Sequence, residues 1–172
     1  MAIKGLSYTK TAWAFEERPV ASAKLNTWDD RIESALELAQ FLHAQQWNGR
    51  DGVLRDAGTR LKAQALSTPG LAVEVRPGHA FISGYPYVLA AATETVDVAA
   101  PAAHDRIDLV QARLATWNVS VKTGAEAETP VAPAADTDCL ALAQLYLRPG
   151  MASIKNADDT ANGYIIDVRA FL

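Results

Sequence analysis

Residues 70–114 read GLAVEVRPGHAFISGYPYVLAAATETVDVAAPAAHDRIDLVQARL. Strand patterns and turn residues follow one another there with few residues between them. Residues 71–76 alternate Leu, Val and Val with Ala, Glu and Arg, the period of two that is typical of a strand with one buried face. Pro77-Gly78 then interrupts the pattern, because proline lacks an N–H and glycine accepts a positive φ. We therefore expect a β-hairpin here, with its second strand at residues 79–82.

The strand patterns continue beyond this hairpin and favour antiparallel pairing. The further predicted strands are residues 87–89, 95–98, 107–114, 117–122, 139–147 and 164–168. A turn near residues 115–118 would join two of them into a second antiparallel pair. Because the helix signal precedes the strands instead of alternating with them, we expect a β-dominated α+β fold. In that fold an N-terminal arm and helix are followed by an antiparallel β-sandwich-like domain.

The chain is long enough, at 172 residues, for one domain with an appendage. The predicted parts are an N-terminal arm at residues 1–25, a helical and linking region at 26–69 and the antiparallel β-domain at 70–172. Within the linking region, Val53-Leu54 favours a short strand, and the apolar residues at 61–66 favour a brief helical turn. The proline- and alanine-rich residues 124–138 are typical of an extended surface loop.

Residues 27–46 carry the clearest helix signal of the chain. Asn26 or Thr27 is suited to the N-cap, and acidic residues follow in the first turn, where the helix dipole favours anions. The apolar residues that step by four and three, as in a heptad seam, are Trp28, Ile32, Ala35, Ala39 and Leu42. Leu38 and Phe41 fall on another side of the helix. The pattern leaves two alternatives open, helix–helix contact between subunits or a single broad face packed within the chain.

The N-terminal arm combines large aromatic side chains with no regular period. Tyr8, Trp13 and Phe15 would each forgo about 1.5–3 kcal/mol of stabilisation if they stayed exposed to water. They therefore predict a buried contact, either with the arm's own domain or with a neighbouring subunit that the arm clasps. The residues predicted to form an oligomer or partner interface are Tyr8, Trp13, Phe15, Trp28, Ile32, Leu38, Phe41 and Leu42.

Composition argues against several classes of partner. Sixteen basic and twenty acidic residues give a net charge of −4, and Lys and Arg form no run, so a nucleic-acid-binding surface is not expected. No stretch approaches the roughly 20 apolar residues that cross a bilayer, so membrane insertion is not expected either. The single cysteine, Cys139, cannot form an intrachain disulfide, which favours folding in a reducing cytoplasm.

The residues that usually carry catalysis or bind metals form no recognisable pattern in the sequence. His43, His79 and His104 lack the spacing of a zinc site, and nucleophile-elbow, Walker and dinucleotide motifs do not occur. We therefore predict no enzyme activity, no cofactor and no metal site. The charged residues 105–108 are expected to begin a strand, with Arg106 and the aspartates at its rim or paired locally.

Several short segments carry a resemblance to a known class of protein. They are Pro77-Gly78 with Ala80, Ile82 and Gly84-Tyr85, then residues 105–114, Lys122-Thr123-Gly124, residues 142–150 and residues 165–169. In this order they resemble the small structural proteins of tailed-bacteriophage baseplates and tail tips, over roughly residues 26–169. The resemblance implies an oligomeric adaptor, a trimer or ring, that connects the tail to fibres or receptor-binding proteins. It also implies contacts with neighbouring tail proteins, at most an indirect contact with a host receptor, and a virion location after assembly in the host cytoplasm.

A carbohydrate- or receptor-binding module of a tail fibre is the alternative function. Its sugar-stacking aromatic residues would be Tyr85, Tyr87, Trp117 and Tyr146. These residues lie within apolar strand patterns, where packing in the core is the commoner role of an aromatic side chain. An enzyme of unrecognised type is a third alternative.

Overall fold

The structure is a computed structural model that describes residues 22–46, 49–55, 58–95 and 97–172. The chain forms two compact units, residues 1–49 and residues 50–172. The first contains a long helix and the second contains the strands, so the predicted β-dominated α+β fold is confirmed. The second unit, which we call the β unit, begins at Arg50, whereas the sequence placed the start of the β-domain at residue 70.

The helix α1 spans Ser22–Gln46 and begins earlier than the sequence predicted. The predicted N-cap at Asn26 or Thr27 is therefore wrong. Thr27 lies inside the helix, and its Oγ1 donates a hydrogen bond to the carbonyl of Ala23 over 2.8 Å. Ala, Lys and Leu at positions 23–25 are good helix formers, which explains why the helix extends past the expected cap. In the described part of the chain, no helix has the length and apolar character needed to span a membrane.

The β unit is built from short strands, which form three sheets among the described residues. In chain order they are β1 (Gly52–Val53), β2 (Ala63–Ala65), β3 (Val73–Val75), β4 (Gly78–Ile82), β5 (Tyr85–Leu89), β6 (Thr93–Glu94), β7 (Arg106–Arg113), β8 (Asn118–Lys122), β9 (Cys139–Leu147), β10 (Ile154–Lys155) and β11 (Gly163–Asp167). The strand orders are β1-β4-β5, β2-β3-β6 and β10-β11-β9-β7-β8. These neighbours run antiparallel, except that β10 and β11 are parallel.

The five-stranded sheet has its two longest strands side by side near its middle. β7 pairs with β9 in antiparallel register, with Val110 opposite Ala143, and β8 pairs with the other side of β7. A 3-10 turn at Leu114–Thr116 joins β7 to β8, so the antiparallel pair predicted here is confirmed. The strand predicted at residues 139–147 is confirmed as β9.

The hairpin predicted at Pro77-Gly78 is wrong. β3 pairs with β2 and β6, whereas β4 pairs with β1 and β5, so the chain crosses from one sheet to another at this point. The observed hairpin joins β4 to β5 through Ser83-Gly84, whose φ angles of 52° and 80° are those of a primed turn that suits twisted strands. Turn residues mark where the chain changes direction, but they do not decide which strand it pairs with next.

Two smaller predictions in this region also fail. Residues 63–65 form β2 and pair with β3, where the sequence favoured a brief helical turn. The strand predicted at 95–98 is replaced by β6, which ends at Glu94, although the N–H of Thr95 still donates to the carbonyl of Val73. Both short segments take their conformation from the neighbouring strand β3 and not from local propensity.

The hydrophobic core of the β unit draws on all three sheets. Its fully buried members include Val53, Val73, Ile82, Val110 and Leu145. Because these side chains belong to different sheets, packing between the sheets contributes to the stability of the unit together with pairing within them.

Arg106 and Asp108 do not stay at the rim of β7, as the sequence predicted, because both are buried. They do pair locally, since Nε and Nη2 of Arg106 donate to the two carboxylate oxygens of Asp108 over 2.8 and 3.0 Å. Nη2 also donates to the carbonyl of Ala99, and the N–H of Gly124 donates to Asp108 over 2.9 Å. This ion pair therefore attaches to β7 the segment that precedes it, at Ala99, and the loop that follows β8, at Gly124.

Residues 124–138 form no strand, in agreement with the predicted loop, yet they are held against β7. Asp136 accepts a hydrogen bond from Nε2 of Gln111 over 2.7 Å, and its own N–H donates to Oε1 of the same side chain over 3.0 Å. Nζ of Lys122 donates to the other carboxylate oxygen of Asp136 over 2.6 Å. The loop is thus part of the folded unit.

Candidate functional site

The helix α1 exposes a row of large apolar side chains. Leu25, Trp28, Ile32 and Leu36 have 44%, 45%, 39% and 59% of their surface exposed. Their spacing of three and four residues places them on one side of the helix, and we call this row the helix stripe. Scattered exposed apolar residues are normal, so it is the contiguity of this row that makes it a candidate contact surface.

The helix stripe agrees only in part with the seam that the sequence predicts. Trp28 and Ile32 belong to both, whereas Leu36 only flanks the predicted seam. Leu25 was not predicted, because the helix was expected to begin after it. A signal for Leu25 was nevertheless present, since it lies three residues before Trp28 and the preceding Ala23 and Lys24 are good helix formers.

The remaining residues of the predicted interface lie outside what the structure describes. They are Tyr8, Trp13, Phe15, Leu38, Phe41 and Leu42. The first three precede residue 22, where the description begins. The last three belong to α1, but their side chains are outside the described part of the chain. The clasping arm and the second apolar side of the helix therefore stay predictions.

Two of the four aromatic residues considered for sugar stacking are engaged within the β unit. Tyr87 is fully buried, its hydroxyl donates to the carbonyl of Asn118 over 3.1 Å, and burial raises its pKa to about 12. The ring of Tyr146 stacks on that of Tyr164 with centroids 5.2 Å apart, and the guanidinium of Arg148 lies over both rings. These two tyrosines are therefore packing residues.

The other two aromatic residues, Tyr85 and Trp117, are 42% and 52% exposed. Tyr85 begins β5 directly after the Ser83-Gly84 turn, and Trp117 ends the turn between β7 and β8. The rings of Trp117 and Tyr87 are stacked, with centroids 6.3 Å apart and 23° between their planes. We call Tyr85 and Trp117 the aromatic pair.

A polar cleft of about 340 Å³ opens beside β2 and β11. It is lined by Lys62, Ala63, Gln64, Asn156, Ile165 and Asp167. Several of these polar groups already bond within the fold, since Asn156 accepts from the N–H of Ala65 and Gln64 donates to Glu74. The cleft therefore gives no specific indication of a ligand.

Cys139 and the acidic residues do not assemble into a reactive centre within the described ranges. There, no group of three or more His, Cys, Asp or Glu side chains is arranged to hold a metal ion. Cys139 is half-buried at the start of β9, and burial raises the pKa of its thiol. A thiol with a raised pKa carries less thiolate at neutral pH and is a poorer nucleophile.

No protein-family model matches the chain, and no curated protein and no solved structure matches it either. Within the described ranges, the helix stripe and the aromatic pair are the features from which we argue a function. The first is a surface suited to another apolar surface, and the second combines aromatic rings with nearby polar groups.

Proposed function

We propose that this chain is a structural component of a bacteriophage tail tip or baseplate, an oligomeric adaptor that connects the tail to fibres or receptor-binding proteins. The observation that carries the proposal is the helix stripe, formed by Leu25, Trp28, Ile32 and Leu36. The resemblance of the chain's short segments to baseplate and tail-tip proteins supports the same class. The chain would reside in the virion after assembly in the host cytoplasm.

The helix stripe favours contact with further copies of the same chain. Burial of one large apolar side chain stabilises an association by about 1.5–3 kcal/mol. The stripe lies on a helix of 25 residues, which is about 37 Å long and offers room for a continuous seam. In a parallel bundle each seam residue meets the same residue of a neighbouring copy, so an apolar stripe is complementary to itself. A trimer or ring with parallel copies of α1 would bury it.

The β unit would supply the rigid body that an adaptor needs. β7 and β9 form a long antiparallel pair in the middle of the largest sheet. The ion pair of Arg106 and Asp108 and the hydrogen bonds of Asp136 attach the neighbouring loops to this pair. A rigid unit with surfaces in fixed positions suits an adaptor, because an adaptor holds neighbouring proteins in fixed positions relative to each other.

Size-exclusion chromatography with light scattering tests the helix-stripe contact. We expect the full chain to be an oligomer, and we expect Ile32→Glu with Leu36→Glu to shift it towards the monomer, because burying unpaired charges in an apolar seam is strongly unfavourable. The matched control is Ala23→Glu with Asn26→Glu, which places the same charges at exposed positions on another side of α1. A chain that is monomeric before substitution, or a control that dissociates it equally, would contradict the proposal.

Immunogold electron microscopy tests the location in the particle. With an antibody against the chain, we expect label at the tip or baseplate end of tails from the phage whose genome encodes it. Label on the capsid, or unlabelled particles beside free antigen, would contradict a tail function and leave the oligomeric state to be explained differently.

A further inference from the structure

Tyr87 is related to both members of the aromatic pair, to Tyr85 along β5 and to Trp117 through ring stacking. Tyr85 and Tyr87 are two residues apart in β5, so their side chains leave the same side of the strand, with Cα atoms about 6–7 Å apart. The ring of Tyr87 stacks on Trp117, and its hydroxyl reaches the carbonyl of Asn118. One buried tyrosine therefore stacks on Trp117 and shares a side of β5 with Tyr85.

Two carboxylates are hydrogen-bonded to the β4–β5 turn that precedes Tyr85. In the β4–β5 turn, Oγ of Ser83 donates to Oδ1 of Asp138 over 2.6 Å, and the N–H of Ser83 donates to Oδ1 of Asp51 over 2.7 Å. The N–H of Leu114 donates to the carbonyl of Asp138 over 3.1 Å, which brings Asp138 next to the turn that ends at Trp117. Among the described residues, the second carboxylate oxygen of each aspartate makes no hydrogen bond, so it is available to a ligand.

Three residues of these turns have a left-handed backbone conformation. Ser83, Trp117 and Asp138 have positive φ angles of 52°, 51° and 55°. The left-handed conformation is unfavourable for a bulky residue such as tryptophan, and glycine is the usual occupant of such a turn position. A large exposed ring in this conformation makes Trp117 a candidate for contact with another molecule.

We propose that Tyr85 and Trp117, together with Asp51 and Asp138, bind a pyranose ring of a neutral glycan. The face of the indole carries negative partial charge and attracts the C–H bonds on the apolar side of a sugar ring. The sugar hydroxyls donate hydrogen bonds to the second oxygens of Asp51 and Asp138, which act only as acceptors when ionised. The two carboxylates and the net charge of −4 disfavour an anionic ligand.

A polyhydroxylated ligand matches this surface better than an apolar protein segment does. An apolar partner would cover the carboxylates of Asp51 and Asp138 without giving them donors, and a buried unpaired charge is strongly unfavourable. A sugar supplies an apolar face and hydroxyl donors in the same small molecule. This site is independent of the helix stripe, so its failure would leave the proposed assembly function unaffected.

Saturation-transfer difference NMR on the full chain tests the site, with the methyl glycosides of glucose, galactose, mannose and N-acetylglucosamine as probes. We expect the ring C–H protons of at least one glycoside to receive saturation from the aromatic side chains. Asp138→Asn should weaken binding of that glycoside, because it replaces one acceptor oxygen by a donor. Asp158→Asn, at an exposed carboxylate elsewhere in the β unit, should leave binding unchanged.

Trp117→Gly is the decisive variant, because glycine adopts the positive φ of this position without strain. The fold should therefore persist, which a thermal melt checks. We expect a loss of affinity of at least about tenfold in this variant and in Tyr85→Ala. Trp28→Phe, in the helix stripe, is the control and should bind as the unchanged chain does. Binding that survives Trp117→Gly at full strength, or no binding of any of the four glycosides, would overturn the proposal.

Discussion

Asp108 is fully buried and anchors the polar network inside the β unit. The side chain of its partner Arg106 is only 10% exposed. A buried ion pair offsets its lost hydration only when the geometry is good and the remaining polar atoms are bonded. Both conditions hold here, because each carboxylate oxygen accepts from Arg106 and one also accepts from the N–H of Gly124.

Asp108→Ala should lower the free energy of unfolding by about 3–5 kcal/mol, because the guanidinium of Arg106 would stay buried without its anion. Urea unfolding followed by circular dichroism measures this change. Glu74→Gln is the control, since its 3.9 Å pair with Arg76 is partly exposed and should contribute less than about 1 kcal/mol. Equal and small effects of the two substitutions would show that the buried pair does not hold the loops to β7.

The sequence shows the charges at residues 105–108 but not their burial. Charged side chains usually stay in water, so a rim position is the natural expectation. Arg106 and Asp108 are buried because the segment near Ala99 and the segment that begins at Gly124 bond to them from both sides. These segments lie outside the strand itself, and the local pattern of β7 contains no signal for them.

The loop at residues 124–138 depends on the carboxylate of Asp136. Hydrogen bonds from Lys122 and then from Gln111 hold the pKa of Asp136 below its usual value. A carboxyl with a lowered pKa in the folded state stabilises the fold above its unfolded pKa, about 3.9, and loses that contribution as the pH falls through the lower folded value. Acid should therefore weaken the attachment of Asp136 to Gln111 on β7 and Lys122 on β8.

An NMR titration measures the protonation of Asp136. The side-chain amide signal of Gln111 should shift with a midpoint below about 3.9, because that amide donates to the titrating carboxylate of Asp136. In Asp136→Asn the same signal should not show this transition. A midpoint at or above the ordinary aspartate value in the unchanged chain would mean that the hydrogen bonds to Asp136 are weaker than the structure indicates.

Native amide exchange should be slowest at residues 107–114 and 140–147. β7 lies between β8 and β9, and β9 lies between β7 and β11, so both strands are paired on each side. The edge strands β8 and β10 should exchange sooner, because local opening exposes edges first. Hydrogen–deuterium exchange by NMR gives the comparison, and fast exchange throughout β7 or β9 would contradict the strand order.

The two longest strands could be predicted from the sequence, whereas two of the shortest, β2 and β6, could not. β7 and β9 have eight and nine residues, enough for an apolar run of strand length to be recognised. β2 and β6 have three and two residues, too few for any period to be seen. Their conformation comes from pairing with β3, which is a long-range property. The crossing at Pro77-Gly78 was missed for the same reason.

The two candidate surfaces of the molecule differ in how far the sequence predicts them. The helix stripe is a local property, because helical spacing alone places Trp28 and Ile32 on one side. The aromatic pair is not local, since Tyr85 and Tyr87 follow one strand pattern and only the packing of sheets leaves the first exposed and the second buried. Exposure of Trp117 likewise depends on its own positive φ angle at the end of the turn, which the sequence pattern does not indicate.

The proposed assembly gives α1 a source of stability as well as a function. Helices in proteins owe most of their stability to packing of an apolar face, and four large members of that face are exposed in α1. Self-association through the helix stripe would cover them and would place the β units of several copies around one axis. This contact between copies is the central claim of the account.

Disulfide trapping tests that contact most directly, in a Cys139→Ser background that removes the natural thiol. Ile32→Cys places one thiol in the helix stripe, where parallel copies would bring it opposite its own counterpart, within the Cβ separation of about 3.5–4.5 Å that a disulfide needs. We predict that mild oxidation of the full chain yields a covalent dimer with Ile32→Cys and leaves Asn26→Cys, on another side of α1, monomeric on a non-reducing gel. Equal cross-linking of both variants, or of neither, would contradict association through the helix stripe.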